Sequence, residues 1–197
     1  MKKYLILILS LVLCLSISAC ASNEPAEEEY EEDEYHYAAE DIEVGTGIAA
    51  FESEDMDGNK VTEAVFADKD VTVLNVWATF CGPCIGEMPD LAAWDSELPD
   101  NVQIVGVVID TPPSDGNSDE IWGGAAENLE LAHEICDKTG VKYLNILASE
   151  SVMKAFAVVE AVPTTFILDR EGKTICPPII GADVNSYKKA VEDYLAG

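Results

Sequence analysis

Apolar residues along this chain follow two patterns, and the two patterns alternate. Val71 to Trp77 and Val102 to Ile109 are almost unbroken apolar runs rich in β-branched residues. Such runs predict strands buried on both faces, because a strand with one wet face alternates polar with apolar. Between them Met88, Leu91, Ala92, Trp94 and Leu98 recur at helical spacing, which predicts an amphipathic helix with Pro89 as a kink inside it. Asp110 to Asp119 reads as a loop, and helix returns from about Gly124 to Lys138, with Gly140 as its stop. Tyr143 to Leu147 reads as a short strand, Ser149 as the cap of a helix reaching about Val158, and Thr164 to Leu168 as a further strand. Asp169-Arg170-Glu171-Gly172 turns that strand into another over Lys173 to Ile180, and Val184, Tyr187, Val191, Tyr194 and Leu195 mark a closing helix. Upstream, Ile48 to Glu54 and Lys60 to Val65 flank Asp57-Gly58, a turn pair suited to a hairpin. Strands that alternate with crossover helices and end in a hairpin and a helix predict one α/β domain over residues 47–197, with a central mixed sheet flanked by helices.

The first 46 residues break with both patterns. Lys2 and Lys3 precede an apolar stretch from Tyr4 to Leu15, and small residues lead to Cys20. The stretch falls short of the roughly 18 to 20 residues that span a bilayer, so residues 1–19 read as an export signal. Ile17-Ser18-Ala19-Cys20 resembles the lipobox of bacterial lipoproteins. That resemblance implies that Cys20 is acylated and anchors the protein to the extracytoplasmic face of a cell membrane, while Cys14 leaves with the leader. Residues 20–46 are dense in Glu and Asp with no basic residue, which predicts an extended, self-repelling tether. Tyr30, Tyr35, His36 and Tyr37 interrupt the acids and leave open a contact with a basic partner or a cation.

Charge narrows the partners further. With 38 acidic against 11 basic residues the formal net charge is -27, which excludes nucleic acid, since a phosphate backbone needs clustered Lys and Arg. No internal repeat is evident, and the domain is expected to be a monomer.

The chemistry concentrates at Cys81-Gly82-Pro83-Cys84, where a strand feeds a helix. A cysteine at a helix N-terminus sits among unpaired backbone N–H groups that favour its thiolate. Cys81 is therefore the candidate nucleophile of thiol–disulfide exchange, and Cys84, one turn on, the resolving thiol. Pro83 in the first turn removes no helical hydrogen bond. Ile85 follows Cys84 where covalent haem attachment needs His, and a zinc site would need four ligands that Cys136, Cys176, His36 and His133 do not space correctly. No metal or cofactor beyond the cysteine pair is expected.

Trp77-Ala78-Thr79-Phe80-Cys81-Gly82-Pro83-Cys84 resembles the active-site segment of thioredoxin-fold proteins, in particular the TlpA/ResA branch of extracytoplasmic thiol–disulfide oxidoreductases. Glu87-Met88-Pro89, Val162-Pro163-Thr164 and the segment from Asp110 to Leu147 are similar to that branch's acidic residue, its cis-proline loop and its inserted helix and strand. The resemblance implies substrate contacts from Trp77, Phe80, Gly82, Pro83, Val162, Pro163 and Thr164. Phe80 stands where the family usually has Trp, and Asn75 where thioredoxin has a buried Asp, so a buried acid assisting Cys84 would be Glu87; an ordinary exposed helix residue is the other reading of Glu87. The resemblance also implies protein disulfides as substrates, duties such as preparing apocytochrome c for haem, and electrons from a membrane thiol carrier of the CcdA/DsbD type. Gly82-Pro83 is the dipeptide of reducing thioredoxins, which favours a reductase.

Cys136 and Cys176 lie outside that motif. A structural disulfide between them ranks first, two free buried thiols second and an electron relay third. Two rival functions remain. A peroxidase of the peroxiredoxin kind would need Pro and Thr where Leu74 and Ala78 stand, and a non-catalytic tethered binding module would have no use for the intact pair.

Overall fold

A computed structural model of the chain describes residues 42–112 and 126–197. The expected export signal 1–19, Cys20, the expected tether up to residue 41, the expected loop from 113 to 119 and the expected helix start at Gly124 lie outside the described residues.

The two unbroken apolar runs form the middle of the molecule. Strand β3 (Val71–Trp77) is buried at every position, and β4 (Val102–Val108) at every position but one. They pair in parallel, Val71 opposite Val102 and Trp77 opposite Val108. Beside β4 lies β5 (Asn145–Leu147), also parallel; beside β3 lies antiparallel β6 (Thr164–Asp169), followed by β7 (Ile179–Ile180). The resulting order is β5-β4-β3-β6-β7, a mixed five-stranded sheet. Helix α1 (Gly82–Asp95) packs against both α2 (Ala126–Thr139) and α4 (Val184–Ala196). The short helix α3 (Glu150–Ala155) packs on the N-terminal hairpin of β1 (Glu52–Glu54) and β2 (Lys60–Thr62). Leu74, Trp77, Met88, Leu91, Ile146, Phe166 and Ile167 are fully buried between these layers. Each such side chain contributes about 1.5–3 kcal/mol through removal from water, before the cost of ordering it.

Local chemistry explains where the structure departs from the expected elements. The hairpin's second strand stops at Thr62 because the Thr62 hydroxyl accepts the Ala64 N–H at 3.3 Å and caps a 3-10 helix, Glu63–Asp68, that buries Phe66. The strand expected over Lys173 to Ile180 is interrupted by Pro177-Pro178, two residues with no N–H for a ladder, and only Ile179–Ile180 remain as β7. Helix α3 ends at Ala155, short of Val158. Packing begins before Gly47: Gly45 N–H donates to the Thr174 carbonyl at 2.7 Å, and Thr174 N–H donates back to Thr46 at 3.0 Å. Gly140 ends α2 with φ +81, a conformation that only glycine adopts without strain. Helix α1 runs through Pro89 without a break.

Candidate active site

The end of β3 delivers the chain to the head of α1. Cys81 is the N-cap residue, and its sulfur accepts the Cys84 backbone N–H at 3.2 Å. Cys81 and Cys84 are joined as a disulfide with their Cα atoms 5.3 Å apart, within the ordinary range for such a bridge. Gly82 and Pro83 supply the first turn, where no intrahelical N–H is required. The turn before the helix is anchored from β4: the Asp110 carboxylate accepts the Thr79 N–H at 3.0 Å and the Thr79 hydroxyl at 2.5 Å. Asp110 itself is buried, and it belongs to the site's scaffold although the sequence marks it only as the first residue of a loop. The signal available was its register: an acid at the end of a buried strand, beside the strand that carries the motif.

Opposite the disulfide stands the loop before β6. The Val162–Pro163 peptide bond is cis, and the Val162 carbonyl oxygen lies 3.5 Å from Cys81 Sγ. Thr164 turns its hydroxyl onto the Ala161 carbonyl at 2.8 Å, and Gly181 N–H donates to the Pro163 carbonyl at 2.8 Å, so the loop is held from both sides. Phe80, 63 % exposed, and Pro83 complete an apolar rim at the sulfurs. Trp77, expected among the substrate contacts, is fully buried, and its Nε1–H donates to Asn145 Oδ1 at 2.9 Å. Its place is the core beneath the site, because a residue inside a doubly covered strand has no wet face. Thr164 is likewise buried and shapes the loop from within.

Glu87 is buried on α1, one turn beyond Cys84, with 5 % of its surface exposed. Asn75 Nδ2 donates to its Oε1 at 2.9 Å, and the Tyr187 hydroxyl lies 3.1 Å from its Oε2. Burial pushes its carboxyl up from 4.5 to about 6, against the opposing pull of the hydrogen bonds from Asn75 and Tyr187. Glu87, Gly86, Pro83, Asp183 and Lys188 line a cavity of about 600 Å³ between α1 and the start of α4, through which the acid can meet solvent. The reading of Glu87 as an ordinary exposed helix residue does not hold. Tyr187, which the sequence marks only as one apolar position of the closing helix, belongs to this cluster.

Cys136 and Cys176 are free thiols, so the structural disulfide ranked first between them is not formed. Cys136 lies near the end of α2, where its sulfur meets the side chain of Asn145 from β5 at 4.0 Å; Cys176 lies in the segment that leads into β7. Strands β5 and β7 are opposite edges of the sheet. Neighbouring strands are about 4.8 Å apart, whereas a disulfide needs Cα atoms within about 7 Å. Burial, with Asp137 adjacent, pushes the Cys136 thiol up to about 11.

The two bonded sulfurs are the groups here that can change oxidation state, so the chemistry of the site is exchange between dithiol and disulfide. The protein is a thiol–disulfide oxidoreductase with a thioredoxin-like fold. Known proteins agree. Thiol-disulfide oxidoreductase ResA of Bacillus thuringiensis subsp. konkukian is 29% identical over 162 residues, 82% of each chain, and ResA of Bacillus subtilis is 28% identical over 138 residues, 69% of this chain and 67% of that one. Among solved structures, StoA from Bacillus subtilis superimposes with a TM-score of 0.54 at 22% identity, covering 73% of this chain and 97% of that one. A thioredoxin-family thiol:disulfide interchange protein from Chlorobium tepidum does so with a TM-score of 0.59 at 20% identity, covering 77% and 97%. Residues 44–175 match the AhpC/TSA family, and the chain belongs to it.

Proposed function

We propose that this protein is a membrane-anchored, extracytoplasmic reductase of protein disulfides, with Cys81 as nucleophile, Cys84 as resolving thiol and Glu87 as the acceptor of the Cys84 proton. The observation that carries the reading is the Cys81–Cys84 pair at the head of α1, facing the Val162 carbonyl with a buried acid one turn behind.

In the reduced protein the Cys81 thiolate, held by the Cys84 N–H and the helix terminus, attacks a substrate disulfide. One substrate sulfur leaves as thiolate and a mixed disulfide forms on Cys81. Glu87 takes the Cys84 proton, directly or through a water in the α1/α4 cavity. The Cys84 thiolate then attacks Cys81 Sγ, expelling the second substrate thiolate and leaving the protein oxidised with Glu87 protonated. Substrate chain lies against the cis-proline loop, where the Val162 backbone offers a short β-type pairing. Leu74 and Ala78 are fully buried and apolar, so they offer a peroxide no hydroxyl.

Direction, location and partner rest on the sequence. Gly82-Pro83 favours reduction, the lipobox at Ile17 to Cys20 favours an anchored protein, and a membrane thiol carrier of the CcdA/DsbD type would return electrons to Cys81 and Cys84. Apocytochrome c awaiting haem is a substrate of the right chemistry, and the acidic surface favours partners that are not themselves strongly acidic. The test is the reduction potential of the pair, found by equilibration against dithiol buffers and trapping of the thiols. A value near about −270 mV supports the reductase, and one near about −120 mV overturns it in favour of an oxidant. Labelling with a fatty-acid analogue, lost in Cys20→Ser, tests the anchor.

A further inference from the structure

Beyond Trp77 the chain leaves the sheet, and its backbone groups need other partners. The Cys81 N–H closes a turn on the Ala78 carbonyl at 3.1 Å, and inside that turn the Thr79 N–H lies 3.0 Å from both oxygens of Asp110. The Thr79 hydroxyl donates to Oδ2 as well. Asp110 in turn is fixed from three directions. The Ile109 N–H reaches back to the Trp77 carbonyl at 3.0 Å, Asn128 of α2 donates to the Asp110 carbonyl at 2.7 Å, and the Ala148 N–H donates to the Thr111 carbonyl at 2.9 Å. The Asp110 side chain is 1 % exposed, and among the described residues no cation pairs with it. Two neutral donors of one threonine meet the carboxylate, and neither cancels its charge.

Cys81 stands two residues further on, at most about 7 Å of chain from Thr79. A charge in a buried setting acts over such a distance with far less screening than in water. Its sign opposes the effect of the Cys84 N–H and the head of α1, which favour the Cys81 thiolate. A thiolate that is harder to form makes the reduced protein less stable, and a less stable reduced form is a stronger reductant.

We propose that Asp110 is a positioning residue with an electrostatic duty: it holds the Cys81 turn through Thr79, and its charge opposes the Cys81 thiolate and so keeps the pair reducing. This deepens the reductase reading and rests on it. The same clamp fixes the backbone of Phe80, which projects from the turn toward solvent.

Other charged groups lie near the pair. Glu87 and Asp90 of α1 and Asp183 and Lys188 of α4 line the cavity beside Pro83, and Glu160 lies in the loop ahead of Val162. Glu87, pushed up to about 6, titrates closest to the working range of a thiol, so its contribution has to be separated from that of Asp110.

The experiment compares the full chain with Asp110→Asn, whose amide oxygen can still accept from Thr79 while the charge is gone. Two quantities are read in each protein: the Cys81 midpoint, from the pH dependence of alkylation of the reduced form, and the equilibrium with glutathione at a pH above that midpoint. The midpoint should fall by about one pH unit and the disulfide should become about tenfold easier to reduce, which is about 30 mV for a two-electron couple. A packing role alone would lower stability and leave both readings in place, and that result overturns the proposal. A midpoint that rises also overturns it, because loss of the clamp rather than of the charge would then govern Cys81. Both readings are repeated in a Glu87→Gln background, where the shift should persist; a shift that vanishes there acted through Glu87 and overturns the proposal. Should Asp110→Asn not fold, Thr79→Val decides. It keeps the charge and the backbone N–H and removes the hydroxyl that partly offsets the carboxylate, so the Cys81 midpoint should rise, and one that falls or stays overturns the proposal. The potential of the unsubstituted protein tests the reductase reading by itself: an oxidant's value overturns that reading, whereas the difference between the unsubstituted protein and Asp110→Asn decides only the role of Asp110.

Discussion

Cys81 and Cys136 are both buried and both lie at the end of a 14-residue helix, but the ends are opposite. Cys81 caps the N-terminus of α1, where the Cys84 backbone N–H points at its sulfur. Cys136 lies in the last turn of α2, where its own carbonyl accepts the Val141 N–H at 3.0 Å and the nearby partial charges are those of carbonyl oxygens. The N-terminus lowers the cost of a thiolate, whereas the C-terminus, burial and Asp137 raise it. Each cysteine also has a buried asparagine in its neighbourhood. Asn75 joins Glu87 and Thr165, a network with a proton to exchange; Asn145 joins the Trp77 indole and the Tyr143 carbonyl, a network that only holds strands in place. Burial alone does not decide what a thiol does. Helix polarity and an acid within reach do.

Several substitutions would break or sharpen that contrast. The largest effect belongs to Cys81→Ser, which should slow reduction of insulin disulfides on the order of 1,000-fold, because a serine hydroxyl is not ionised near neutrality. Cys136→Ala should leave the same rate within about twofold, and a larger loss would place Cys136 in the exchange path.

Next comes Gly106→Ala in β4. A Cβ there would collide with Asn145 Oδ1 and crowd the Trp77 indole nitrogen at 3.1 Å, so urea denaturation should show a loss of about 2–3 kcal/mol. A neutral result would mean that the Asn145 network yields without cost.

Glu87→Gln tests the other network through the pH dependence of stability. The folded protein binds the Glu87 proton more tightly than the unfolded chain, with a midpoint of about 6 against 4.5. Its contribution is therefore fully present below 4.5 and is lost as pH rises through 6, a change of about 2 kcal/mol. Glu87→Gln should remove that slope, so that the stability difference between the two proteins changes between pH 4.5 and 7; a constant difference across that window would contradict the raised pKa.

The smallest effect is the loss of the Cys136 side chain itself. Cys136→Ala should cost about 1 kcal/mol, as expected for a small group removed from a packed site. In the native protein Cys136 should resist alkylation near neutrality while Cys176, half-buried, reacts first. Faster reaction at Cys136 would show that the end of α2 opens.

The features that could be read from the sequence are those carried by neighbours along the chain. The buried strands Val71–Trp77 and Val102–Val108 show as apolar runs, the head of α1 as the Cys81 to Cys84 motif, and the end of α2 as Gly140. The features that could not be read depend on register between distant segments. Asp110 reaches Thr79 because β4 lies beside β3, and Tyr187 reaches Glu87 across 100 residues of chain because α4 packs on α1. Trp77 could be mistaken for a substrate contact because it adjoins the motif, although it closes an apolar run that is buried on both faces. Pairing Cys136 with Cys176 failed for a related reason, since two cysteines in one domain can sit at opposite sheet edges.

By itself, then, the sequence determined the local chemistry: which segments bury, where helices begin and end, and which pair of sulfurs stands among backbone N–H groups. Only the tertiary structure decided the environment of Glu87. Whether an acid is exposed with an ordinary pKa or buried with a raised one depends on what packs over it, and Asn75, Thr165 and Tyr187 arrive there from three separate elements.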